Sequence, residues 1–269
     1  MLQIVVLALV QGITEFLPIS SSGHLILVPK LTGWQDQGLA VDLAVHVGTL
    51  FAVLLYYKRD IADMTRGGFA MVGLRSATDA DRDGMRLLTA LMVAALPIFV
   101  VGGFLVVMGW DEMMRNAAVI GWSSIIFGLF LYYADTRRPA SYRMDRMTLP
   151  RAVVIGLVQL LAIIPGGSRA GTTMMAARFL GFDRVTAARF SMLLSIPTIA
   201  AAGLVLALKL VQADDAGLTM DAVLCGALAF VVAYAAIVLF MRWISRATMT
   251  PFVVYRVVLG TGLLIWVYL

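Results

Sequence analysis

The chain has one cysteine, two histidines and two glutamates, and only 14% of its 269 residues are charged. A single cysteine, Cys225, cannot close an internal disulfide, so cysteine usage does not indicate a redox compartment. Charge this sparse excludes an ordinary soluble enzyme, in which about 25% of residues are charged. It also excludes a disordered chain. No Lys or Arg precedes Lys30. The basic n-region of a cleavable secretory signal is therefore missing, and the first apolar stretch is expected to stay in the mature protein.

Apolar residues are abundant instead: 61% of the chain is hydrophobic and the mean hydropathy is +0.91. A soluble domain is roughly 45–50% apolar. Nearly the whole of residues 1–269 is expected to sit in lipid as a single integral domain. At about 20 apolar residues per spanning helix, the length allows about six to eight spans. The net charge of +5 and isoelectric point near 9.6 point to basic cytoplasmic loops facing anionic lipid, not to nucleic acid.

Six unbroken apolar runs qualify as spans, at 38–57, 88–109, 116–134, 190–209, 221–241 and 252–268. Two further runs are interrupted. The first meets Pro18 and the polar turn Ile19-Ser20-Ser21-Ser22-Gly23-His24. The second meets Pro165 and Gly166-Gly167-Ser168-Arg169-Ala170-Gly171-Thr172-Thr173. Neither flanking half-helix reaches across a hydrocarbon core of about 30 Å at about 1.5 Å per residue. The two interrupted runs correspond: Leu9-Val10-Gln11 matches Leu157-Val158-Gln159, and the two prolines are 147 residues apart. A broken segment followed by three spans thus occurs twice, over 1–134 and 152–269, joined by a basic cytoplasmic linker at 135–151. Repeats with interrupted helices in matching places are the sequence sign of a transporter-like fold with a midplane site.

Charge placement decides whether the broken segments cross. Sixteen of the 21 Lys and Arg lie in four stretches: 58–86, 137–151, 178–189 and the Arg242–Arg246 loop. Acidic residues Asp36, Asp111, Glu112, Asp214, Asp215 and Asp221 occupy the other connections. If both broken segments dip in and return, every basic stretch is cytoplasmic, every acidic connection is outside, and both termini lie outside. The expected fold is therefore an all-α polytopic membrane protein with six transmembrane helices and two re-entrant helical hairpins. Each half crosses three times, which makes the repeat inverted in topology and lets the hairpin tips meet inside the membrane.

Irregular backbone at membrane depth must be buried in protein or line a cavity, and ionisable groups there are functional candidates. The first tip offers Gln11 and Glu15, four apart on one helix face, with Ser20, Ser21, Ser22 and His24. The second offers Gly166, Gly167, Ser168, Arg169, Thr172 and Thr173. Two half-helix N-termini facing one another, with hydroxyls and an arginine, suit a phosphate or diphosphate. Arg169 is the one fixed positive charge expected where the tips meet. Arg256, five residues past Pro251, is expected to snorkel to the cytoplasmic face or to pair structurally. His46 is expected to serve as a helix–helix hydrogen-bond donor.

The run Gln11-Gly12-Ile13-Thr14-Glu15-Phe16-Leu17-Pro18-Ile19-Ser20-Ser21-Ser22-Gly23-His24 closely resembles the first signature of the undecaprenyl-diphosphate phosphatases, also called bacitracin-resistance proteins. Pro165-Gly166-Gly167-Ser168-Arg169-Ala170-Gly171-Thr172-Thr173 resembles their second signature, with Ala170 in place of a serine. The likeness extends over the whole length. It implies a bacterial inner-membrane enzyme, open to the periplasm, that hydrolyses a C55 polyprenyl diphosphate to the monophosphate carrier lipid for cell-wall synthesis. It also implies a divalent cation, Mg²⁺ or Ca²⁺, held in part by Glu15. By position, Glu15, Ser21, His24 and Arg169 are implied as catalytic. Gln11, Ser20, Ser22, Gly166, Gly167, Ser168, Thr172 and Thr173 are implied as substrate-binding. Ser21 attacking with His24 as base, His24 attacking directly, and activated water all remain open.

The type-2 phosphatidic acid phosphatases share only Ser-Gly-His and Ser-Arg. Position 175 is Met175, where their second histidine would fall, and their Lys-x₆-Arg-Pro motif is missing, so that assignment is rejected. The rival reading from another class is a polyprenyl-phosphate flippase or transporter using the same inverted-repeat site. The partners expected are the polyprenyl lipid, the bilayer and, as an open option, a second copy in a homodimer.

Overall fold

The computed structural model describes residues 2–34, 39–76, 78–108, 116–137, 140–212 and 220–269. The acidic connections at Asp36, Asp111, Glu112, Asp214 and Asp215 lie outside the described residues.

The fold is all-helical. Helix α1 (Leu2–Thr14) is short, ends four residues before Pro18, and passes through an irregular turn into α2 (Ser21–Thr32). Gly33 ends α2 in the left-handed conformation, where its N–H donates to the Pro29 carbonyl at 2.9 Å. Helix α3 (Leu39–Tyr56) is followed by α4 (Lys58–Met71), the chain bending by 83° at Tyr57. The cause is composition: α4 carries Lys58, Arg59, Asp60, Asp63 and Arg66, which cannot continue into hydrocarbon. Helix α5 (Asp79–Pro97) begins with a Thr78–Asp81 capping box and runs on through a π-helical turn, Ile98–Gly102, into Gly103–Val107. Helix α6 is Ala117–Arg137.

Past residue 140 a second short helix leads into an irregular turn. Helix α7 (Leu149–Gln159) tightens into a 3₁₀ turn at Leu160–Ile163 and ends before Pro165. After the turn come α8 (Arg169–Phe179), α9 (Arg184–Gln212), α10 (Met220–Ile244) and α11 (Thr250–Tyr268).

Among the described residues, five helices are long and apolar enough to cross a membrane: Asp81–Leu105, Ala117–Arg137, Arg184–Val205, Met220–Ile244 and Thr250–Tyr268. The bent pair of α3 and α4 makes a sixth if it is taken as one span. These coincide with the six runs expected from sequence, except that the second and fourth start several residues earlier. Helices α1 and α7 are apolar but short.

Packing pairs the two halves. Helix α1 lies on α10, α7 on α5, α3 on both α9 and α10, and α6 on α11. Small residues set the closest crossings: a Cβ on Gly48 would come 2.1 Å from the Gly226 carbonyl oxygen, and one on Gly260 would come 2.6 Å from that of Gly121. Without a hydrophobic force between helices in lipid, such close backbone approach is how dispersion holds them together. The main apolar core gathers around α8 and α9, with Met174, Phe182, Phe190, Leu193 and Leu194 fully buried.

Residues from three of the four basic stretches meet at one end, together with Met249 just past the fourth. Asp135, buried at the end of α6, accepts from Arg184 Nε at 2.7 Å and from the Met249 N–H at 3.0 Å, with Arg178 Nε 3.2 Å away. Arg189 pairs with Asp60. Tyr142 exchanges backbone bonds with Gly181 and Asp183. These segments therefore lie close together in the fold.

Candidate active site

The two interrupted runs bring their turns together. In the first, Gln11 and Glu15 share the inner face of the α1 end, and both are buried. Pro18 prevents the helix from continuing. Ser20 then adopts φ +76°, a left-handed conformation rare outside glycine, and its Oγ caps α2 by accepting from the Gly23 N–H at 3.4 Å. In the second, Ser168 adopts φ +67°, and its Oγ accepts from the Gly171 N–H at 3.0 Å. These are the only non-glycine residues with positive φ among the described residues. They stand 148 residues apart, the offset of Gln11 and Gln159. The same offset places Arg169 in the second turn where the first has Ser21.

Glu15 joins the two turns. Its Oε1 accepts from Arg169 Nη2 at 2.8 Å, while its Oε2 accepts from Ser21 Oγ at 2.7 Å and from Gln11 Nε2 at 2.9 Å. Glu15, Ser20, Ser21, Ser22, Ser168 and Arg169 line one cavity of about 240 Å³, closed on the other side by His46, Thr198 and their neighbours. That volume admits a phosphate or diphosphate group but not a long lipid tail. The arrangement supplies a hydroxyl held by a carboxylate, an arginine facing it, and two helix N-termini, which is what transfer of a phosphoryl group needs.

Other residues implied as substrate-binding have structural places. Gly166, at φ +89°, lies so close to α6 that a Cβ would meet Ser123 Oγ at 2.2 Å. A Cβ on Gly167 would come 2.5 Å from the Leu161 carbonyl oxygen. Thr172 Oγ donates to the Ser168 and Arg169 carbonyls; Thr173 Oγ lies 2.7 Å from Ser191 Oγ. Both threonines are buried and neither lines the cavity. Ala170 packs in the main apolar core, where a serine hydroxyl would need a partner.

His24 also stands outside the cavity wall. Its Nδ1 lies 2.6 Å from the Ser20 carbonyl oxygen and its Nε2 lies 2.5 Å from Tyr255 Oη, so neither ring nitrogen reaches Ser21.

Two expectations are corrected. Of the two roles expected for Arg256, the structural one holds and snorkelling does not: it is fully buried and donates to the carbonyls of Ser124, Pro18, Gly166 and Gly167 at 2.9–3.2 Å. Arg169 is therefore not the one fixed positive charge where the tips meet. Its guanidinium lines the cavity, while that of Arg256 holds the turn carbonyls behind it. The sequence signal was its depth in an apolar run; its partners are backbone atoms, which carry no pattern. His46 bonds within its own helix, Nδ1 lying 2.7 Å from the Asp42 carbonyl oxygen, and its ring forms cavity wall instead of bridging helices.

The sequence model of the family described as Bacitracin resistance protein BacA matches residues 4–262. The chain belongs to that family. It is 48% identical over 262 residues to the undecaprenyl-diphosphatase of Jannaschia sp. (strain CCS1), covering 97% of each chain. It is 47% identical over 265 residues to that of Dinoroseobacter shibae and 45% identical over 265 residues to that of Roseobacter denitrificans, covering 98% of each chain in both cases. The family match spans residues 4–262, so both turns, the cavity and the Arg256 contacts lie within it.

Proposed function

We propose that this membrane protein is an undecaprenyl-diphosphatase, which hydrolyses the C55 diphosphate to undecaprenyl phosphate and inorganic phosphate. The monophosphate returns as carrier lipid for cell-wall synthesis, and its recycling confers bacitracin resistance. The single observation that carries the mechanism is Glu15, which holds Ser21 from one turn and Arg169 from the other. Ser21 Oγ attacks the terminal phosphorus as its proton passes to Glu15. The bond to the bridging oxygen breaks and the monophosphate lipid leaves, its charge met by Arg169 and the α2 and α8 N-termini. Glu15 gives that proton to the departing monophosphate oxygen and is a carboxylate again. Water then attacks the phosphoserine phosphorus as its proton passes to Glu15, inorganic phosphate leaves, and Glu15 returns the proton to Ser21 Oγ.

A divalent cation fits the donor set. Mg²⁺ is commonly held by one or two carboxylates together with substrate phosphates. Glu15 is the carboxylate on the cavity, and beside it the buried Gln11 Oε1 has no hydrogen-bond partner. These two oxygens would hold Mg²⁺ or Ca²⁺, which would neutralise charge on the diphosphate.

The finer architecture is part of the same reading. The halves 1–134 and 152–269 form an inverted repeat, with α1–α2 and α7–α8 as re-entrant hairpins and the site open to the periplasm of the bacterial inner membrane. Three features support it: the matched left-handed serine caps, the reciprocal packing of α1 on α10 and α7 on α5, and the shared end of three basic stretches.

Phosphate release from C55 diphosphate by the purified protein tests the proposal. Turnover that falls with Ser21→Ala is expected. No release, together with movement of labelled lipid across liposomes, would replace the phosphatase with the flippase.

A further inference from the structure

We propose that Tyr255, acting through His24, is a positioning residue for the reaction: its hydroxyl fixes the histidine tautomer that clamps the Ser20 carbonyl and thereby aims Ser21. This rests on Ser21 as the attacking group.

The hydrogen bonds themselves fix the directions. A carbonyl oxygen only accepts, so His24 Nδ1, 2.6 Å from Ser20 O, carries the hydrogen. In the neutral ring Nε2 is then an acceptor, and the Tyr255 hydroxyl, 2.5 Å away, must be its donor. The two rings stack with centroids 5.6 Å apart and planes within 10°, which holds the imidazole edge-on to both partners. The atom at the end of this relay belongs to Ser20, whose φ of +76° a non-glycine residue keeps only when its surroundings hold it. Ser21 is the next residue and takes its direction from that turn.

The second half contains the internal control. Residue 172 stands 148 positions after His24. There Thr172 Oγ donates to the carbonyl of Ser168, the other left-handed serine, at 3.0 Å. Both turns thus carry the same side-chain clamp from the fourth residue onward, and in one of them a hydroxyl suffices. An imidazole is needed at His24 only as a donor with a defined hydrogen, and a group on α11 supplies that definition. A histidine serving as base or nucleophile would instead need a ring nitrogen free toward the cavity, and both are occupied.

The test combines kinetics and spectroscopy on the detergent-purified full chain. Tyr255→Phe keeps the stack and removes one hydrogen bond; it should lower kcat about five- to tenfold with KM little changed. His24→Ala should lose at least as much. His24→Thr, copying the second turn, should return to within about threefold of the parent, and in that background Tyr255→Phe should have no further effect. His24→Thr as inactive as His24→Ala would overturn the proposal, as would Tyr255→Phe at the parent rate. Because the chain has two histidines, ¹⁵N-histidine spectra in a His46→Gln background read His24 alone. The Nδ1–H tautomer is expected, shifting toward a mixture in Tyr255→Phe; an Nε2–H tautomer in the parent would refute the relay. A parent protein without turnover would count against the proposed function, whereas the tautomer is read without any substrate.

Discussion

Arg256 and Arg169 are both deep guanidinium groups, and they do different things. Arg169 lines the cavity and bonds Glu15, so it can exchange that partner for phosphate oxygens. A planar donor can hold two such oxygens at once, which an ammonium cannot do in the same geometry. Arg169→Lys should therefore lower kcat/KM at least about 100-fold in steady-state phosphate release, and Arg169→Ala more, with unchanged melting. Ser21→Ala and Glu15→Gln should each lose at least about 100-fold, the scale of a nucleophile or its base. Turnover near the parent rate in Ser21→Ala would leave water as the attacking group. Arg256 serves instead as a scaffold. Its four carbonyl acceptors lie on three separate segments, and removing it orphans them in a buried site. Arg256→Lys cannot span them, so the mild effect its expected snorkelling implied is reversed. We expect a loss of about 3 kcal/mol in stability, seen as a lower melting temperature in detergent.

At the scale of elements, the crossing of α3 and α10 depends on the absence of side chains. The Gly48 and Gly226 backbones approach so closely that even one methyl group has no room. Gly48→Ala should push the helices apart and cost about 1–3 kcal/mol. Since α3 also carries His46 into the cavity wall, the same variant should raise KM for the diphosphate. A variant that melts and turns over like the parent would show that the crossing relaxes freely.

For the whole molecule, the testable consequence is sidedness. In a Cys225→Ala background, single cysteines near residues 75 and 143 should resist a membrane-impermeant label applied from the periplasmic side. Cysteines near residues 112 and 214 should react. The reverse pattern would overturn the orientation, and protection at residue 214 with labelling at residue 112 would overturn the second hairpin, because a crossing by the second broken segment separates the basic stretches that meet around Asp135.

The one-dimensional order of residues settled much at this scale. Apolar runs fix helices and spans because lipid leaves the backbone no other way to satisfy its hydrogen bonds. Interruptions at Pro18 and Pro165, the matching runs around them, and the polar residues of the two turns were legible because proline, serine and glycine carry local backbone rules. The tertiary structure alone decided what each polar group touches. His24 turns to Tyr255, 231 residues away, and Arg256 turns to carbonyls 89 to 238 residues away. Carbonyl partners leave no trace in side-chain identity, and no periodicity records which way a ring faces. The chain itself wrote the apolar helices and the residue types at its turns; packing chose which of those groups face the cavity and which hold it in shape.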